Sequence, residues 1–116
     1  MKDLQLVLTE PHERVLEMKV RGDIDMATVP PLREAVRAAA ASRDYDTLVI
    51  DLLGVDFIDS SGLHVLADAD RAMVAQGGKT QVVCAAANLL KVFELTGLDQ
   101  VLSIVGRRDA AHAAAA

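Results

Sequence analysis

Apolar and polar positions alternate twice near the start of the chain. Leu4, Leu6 and Leu8 interleave with Gln5, Val7 and Thr9, and Leu16, Met18 and Val20 interleave with Glu17, Lys19 and Arg21. A period of two puts successive side chains on opposite sides of a strand. The first strand is expected to bury one face more than the other, and the second to have one dry and one wet side. Pro11 and its polar neighbours mark a turn between them, which predicts a hairpin. Gly22-Asp23-Ile24-Asp25 ends the second strand.

The period then changes. Val29, Leu32, Val36 and Ala39 form one helical stripe, with Arg33 and Arg37 outside it. Asp25 or Thr28 can cap this helix, and Pro30 and Pro31 are tolerable only in its first turn. Residues 48–53 are nearly all apolar, as suits an interior strand covered on both faces, and Gly54 punctuates them. After a short loop, a second helix opens at Asp59-Ser60-Ser61-Gly62. Leu66, Ala69 and Met73 face inward with Val65 and Ala72 alongside, while His64, Asp68 and Arg71 fall on the opposite face. Gly77 and Gly78 close it.

Residues 80–84 form a further strand. Asn88 caps a short helix with Leu89, Val92 and Phe93 inward, Gly97 ends it with Leu98 packing back, and residues 101–105 make a last strand. The alanine-rich residues 109–116 suit a frayed helix. Strand–helix alternation after an opening hairpin predicts an α/β fold with a mixed sheet, one domain over residues 1–116.

Composition narrows the function. The 52% hydrophobic content supports a packed core, but only 3% of residues are aromatic, so that core is aliphatic and few rings remain to stack on bases. A net charge of −5 argues against a nucleic-acid or anionic-membrane surface. No run approaches a membrane span, and the acidic, amphipathic start is no signal peptide. The lone Cys84 excludes an internal disulfide and fits a reducing compartment, so a cytoplasmic protein is expected. Cys84 itself reads as a small core residue.

The candidate chemistry lies at Asp59-Ser60-Ser61, where a helix starts at the carboxyl end of an interior strand. Open α/β sheets place their sites there. Two readings stand side by side. Short side-chain oxygens at such a point are ordinary helix caps. Alternatively, one serine is left exposed for modification, and a phosphate on it would meet free N–H groups and the positive end of the helix dipole. Spacing does not choose between them. His12, His64 and His112 are scattered without a second ligand at metal spacing, so no metal or cofactor is expected. Ser61, His64 and Asp68 share one helix, unlike a hydrolase triad gathered from separate elements. No phosphate-binding glycine loop is present, no catalytic residue is assigned, and an enzyme is not expected.

A longer pattern does choose. Val55-Asp56-Phe57-Ile58-Asp59-Ser60-Ser61-Gly62-Leu63, with Gly22-Asp23-Ile24-Asp25-Met26-Ala27-Thr28 upstream and Leu95-Thr96-Gly97-Leu98-Asp99 downstream, resembles the STAS domain family. Within it, the chain is most similar to the single-domain anti-sigma factor antagonists of bacteria. The resemblance implies helices packed mainly on one face of the sheet. It also implies that the unmodified protein binds an anti-sigma factor, often a serine protein kinase, and so frees a sigma factor. The kinase phosphorylates a serine at the helix start to stop binding, and a serine phosphatase resets it.

The family's acceptor maps to Ser61, with Asp59 and Ser60 as neighbours and Asp25 at the acidic position near it. Gly62, His64, Asp68 and Arg71 complete the expected partner surface. His64 stands where the family often has a small residue. Asp25 and Asp59 as simple caps, and Ser60 as acceptor, remain open at this level. The alternative function within the fold is a STAS subunit of a lipid-import transporter complex. A ligand-sensing STAS domain would need a pocket signature that the sequence lacks.

Overall fold

The computed structural model describes residues 3–106; the expected frayed helix at 109–116, and with it His112, lies outside them. The order is β1 (Gln5–His12), β2 (Val15–Ile24), α1 (Val29–Ala41), β3 (Thr47–Ile58), α2 (Ser60–Ala75), β4 (Lys79–Val83), α3 (Ala87–Thr96), a 3-10 turn (Leu98–Gln100) and β5 (Ser103–Val105). The sheet runs β1-β2-β3-β4-β5, with β1 antiparallel to β2 and the remaining pairs parallel. The mixed α/β sheet is as expected.

All three described helices pack on one face. Leu16, Met18, Leu48, Ile50 and Val82 from the strands meet Leu32, Leu66, Met73 and Phe93 from the helices in one core, aliphatic but for the Phe93 ring. The α1 stripe of Val29, Leu32, Val36 and Ala39 is buried as its period predicts. On the other sheet face Val15, Val49 and Val83 cluster with Val105, and no described helix contributes to them.

Several sequence expectations need correction. β1 runs through Pro11 to His12, and the turn falls at Glu13 and Arg14. Proline is accommodated because β1 is an edge strand and its register with β2 shifts between Thr9 and His12. The expected wet side of β2 is largely covered: Glu17 is fully buried and only Arg21 is exposed. Glu17 lies between Thr9 and Val49 on an interior strand, with Lys19 Nζ 3.7 Å from its carboxylate. Neither β2 nor β3 stops at its glycine. β2 continues through Gly22 at φ 113°, and β3 passes Gly54 to Ile58, with register shifts between them. No loop separates β3 from α2, only Asp59. Asn88 does not cap α3; its side-chain amide donates to the Asp56 carbonyl at 2.9 Å and ties that helix to the end of β3.

Candidate functional site at the start of α2

The parallel strands deliver Ile24, Ile58, Val83 and Val105 to one end of the sheet. α2 starts there, beside the β2–α1 loop. The Asp59 N–H donates to the Ile24 carbonyl at 3.0 Å, which joins the two strand exits.

Asp59 is the N-cap of α2. Its Oδ1 accepts the N–H of Ser61 at 2.9 Å, the N–H of Gly62 at 3.4 Å and the Ser61 hydroxyl at 2.5 Å. The Ser61 hydroxyl, foremost, and the N–H groups of Gly62, Ser61 and Met26 hold the Asp59 carboxyl below its ordinary value, against a smaller opposing push from burial. Asp59 therefore stays ionised and fixes the Ser61 hydroxyl as a donor. Ser61 is half-buried, whereas Ser60 is exposed and its hydroxyl has no such anchor.

Gly62 is buried, and its role is closeness. A Cβ built there would lie 2.6 Å from Ile24 Cγ2 and 2.6 Å from Ile58 Cγ1. Only a residue without Cβ lets the first turn of α2 settle on the two strand ends. Asp25 is half-buried in the β2–α1 loop. Its Oδ1 accepts the N–H groups of Ala27 at 2.9 Å and Thr28 at 3.0 Å, so this carboxylate shapes the turn into α1. Thr28, at the N-cap position, makes no side-chain cap of its own.

His64, Asp68 and Arg71 lie on the exposed face of α2, as their spacing predicts. Asp68 and Arg71 pair at 2.8 Å. Because the Ser61 hydroxyl donates to Asp59 and Asp68 is held by Arg71, the Ser61, His64, Asp68 row has no triad geometry. Among the described residues, no three His, Cys, Asp or Glu side chains converge as a metal site requires. Cys84 is buried, which pushes its thiol pKa up, and it is packed in the core.

Two neighbours went unassigned in the sequence. Met26 is 78% exposed and Phe57 50% exposed, both beside Asp59 in the chain or through its N–H contacts. The available signal was their placement: large apolar residues each directly following an aspartate, off any buried stripe.

A serine hydroxyl is thus fixed at a helix start, at one end of a mixed sheet whose described helices all lie on one face. The STAS domain family profile matches residues 6–111, and the chain belongs to that family. It is 33% identical over 98 residues to the anti-sigma-F factor antagonist RsfB of Mycobacterium tuberculosis, covering 84% of this chain and 79% of that protein. The anti-sigma-B factor antagonist of Bacillus subtilis is 29% identical over 98 residues, 84% of this chain and 88% of its own. Among solved structures, an anti-sigma factor antagonist from Mycobacterium paratuberculosis superposes with a TM-score of 0.87 at 33% identity, over 97% of this chain and 93% of that one.

Proposed function

We propose that this protein is an anti-sigma factor antagonist acting in the cytoplasm as a single STAS domain, not as an enzyme. Unmodified, it binds an anti-sigma factor of the serine-kinase type and releases a sigma factor. Phosphorylation of Ser61 ends that binding, and a serine phosphatase restores it. The observation that carries the reading is the Ser61 hydroxyl, fixed at 2.5 Å on Asp59 at the opening of α2.

In the transfer, Ser61 Oγ forms its bond to the γ-phosphorus of ATP while the bond to the ADP oxygen breaks, and the hydroxyl proton leaves to solvent by way of the Asp59 carboxylate that accepts its hydrogen bond. The hydrogen bond to Asp59 is lost with it. The phosphate then competes with the Asp59 carboxylate for the N–H groups of Ser61 and Gly62. In a docked complex built around a neutral hydroxyl, the added ~1.5–2 negative charges lack a matching partner. Desolvating them costs several kcal/mol, on the order of a thousandfold in affinity. Asp25, Ser60, His64, Asp68 and Arg71 border the contact, and Gly62 sets how closely the helix start sits.

The test is phosphopeptide mapping after incubation with the cognate kinase and ATP. One phosphate is expected on wild type and on Ser60→Ala, and none on Ser61→Ala. Binding to that kinase should fall about a thousandfold on phosphorylation while thermal unfolding stays cooperative. Phosphate on Ser60 would move the switch by one residue, and unchanged affinity would remove it. Co-purification with a transporter ATPase in place of a kinase would favour the transporter-subunit role.

A further inference from the structure

The outer edge of the sheet carries a separate property. β1 pairs only with β2 among the described residues, so along residues 5–9 its far side presents backbone N–H and C=O groups with no ladder partner. Soluble proteins usually guard such an edge with charges, proline or shortness. Here residues 4–9, Leu-Gln-Leu-Val-Leu-Thr, contain no charge, proline or glycine. Glu10, Pro11 and the register shift come only at the far end. The middle of the strand is open on both faces, with Val7 51% and Leu8 49% exposed. On the helix side, α1 stops short of the edge and leaves a cleft of about 340 Å³ between Leu8, Ala35, Ala38 and Tyr45.

We propose that β1 is a self-association edge, through which two copies of this chain join into one continuous sheet. The sequence of the strand names the occupant. Antiparallel pairing about a two-fold axis at Val7 sets Val7 opposite Val7, Leu6 opposite Leu8 and Gln5 opposite Thr9. From residue 5 to residue 9 apolar meets apolar and amide meets hydroxyl. Leu6 of one copy then stands beside Leu8 of the other at the mouth of the cleft. Moving the axis to Leu8 would set Glu10 against Leu6 in the middle of the edge, whereas the Val7 axis leaves Glu10 opposite Leu4 at the strand's end, so the Val7 register is favoured. Residues 4–9 offer no charge for a partner of opposite sign to read, which points to a self-complementary occupant over a charged one. Ser61 follows β3, two strands in from this edge and about 10 Å across the sheet. The pairing therefore leaves the start of α2 open.

A six-residue edge makes a small interface, and a weak dimer is expected, with a Kd on the order of 100 µM. Sedimentation of the full chain from about 5 µM to about 1 mM brackets that value. The mass should rise from one copy to two, and amides of residues 5–9 should gain hydrogen-exchange protection at the higher concentration. Val7→Lys should keep the protein monomeric throughout while its unfolding temperature falls by only a few degrees, because that side chain is already half in solvent and meets only Lys19 opposite it on β2. Ser61→Asp should dimerise like wild type, which separates this edge from the serine switch. A chain that stays monomeric over the whole range overturns the proposal, with the edge then open only to a strand from another protein. A dimer that survives Val7→Lys, or forms without protecting residues 5–9, also overturns it.

Discussion

α1 and α2 begin at the carboxyl ends of adjacent parallel strands, and each start contains an aspartate that accepts two N–H groups of its own turn. They differ in what holds the nearby hydroxyl. Thr28 Oγ1 donates to the Asp23 carbonyl at 2.7 Å and accepts the Asp25 N–H at 2.9 Å, so it is stitched into the main chain on both sides. Ser61 Oγ donates to a side chain, the Asp59 carboxylate. A carboxylate can rotate away about χ1, whereas a carbonyl in the β2 exit cannot leave without unravelling the loop. Two starts with similar residue types are thus unequal: one is a fixed corner, and the other holds a hydroxyl that can be released.

The largest expected effect comes from closing the space that lets α2 start where it does. Gly62→Val inserts a Cβ 2.6 Å from Ile24 and Ile58, plus two methyl groups. Overpacking of this kind costs about 1–3 kcal/mol, or roughly 5–15 °C in Tm. Thermal unfolding should show that loss. A Gly62→Val protein as stable as wild type would mean that α2 can shift freely on the strands.

Next in size is the contrast between the two hydroxyls. Thr28→Val leaves the Asp23 carbonyl and the Asp25 N–H without their hydroxyl partner in a half-buried loop, at a cost of about 1–3 kcal/mol. Ser61→Ala removes one bond to a carboxylate that keeps its backbone donors, and should cost about 0.5–1 kcal/mol. Urea midpoints of the two variants measure the gap. Equal losses would erase the distinction between the two hydroxyls.

The smallest effect is a pH dependence. The Asp59 pKa is lowered in the fold, chiefly by the Ser61 hydroxyl, so near pH 4 and below the unfolded chain binds more protons than the native one. Stability from this carboxylate is fully present above the ordinary Asp value and is lost as pH falls through the lowered one. Asp59→Asn removes it. The difference in urea midpoint between wild type and Asp59→Asn should hold steady from about pH 8 to about pH 5 and narrow below about pH 4. A difference that does not narrow would show that the charge contributes nothing to the cap.

Features whose cause lies within a few residues were legible in the chain. The α1 stripe, the Leu66, Ala69 and Met73 stripe of α2 (Ala72, expected alongside it, is exposed), the exposed row of His64, Asp68 and Arg71, the Asp59 cap and the glycine ends at Gly77 and Gly97 depend on spacings of two to four residues. The family motif added Ser61 as the residue to watch and helices on one face of the sheet. Other features came from partners far along the chain. Glu17 looked wet by alternation but is buried, because β2 became an interior strand between β1 and β3. Asn88 looked like a cap but found the Asp56 carbonyl thirty-two residues away.

The same division runs through the site itself. Asp59, Ser61 and Gly62 can make their mutual bonds in any chain that starts a helix there, since the donors and the acceptor are neighbours. Gly62 as a packing requirement, and the bond from Asp59 to Ile24, exist only once β2 and β3 lie side by side. Local hydrogen bonding thus needs only the order of residues. Burial and close approach need elements remote in sequence to meet, and that meeting placed the Ser61 hydroxyl at the edge of a packed core with its outer side open.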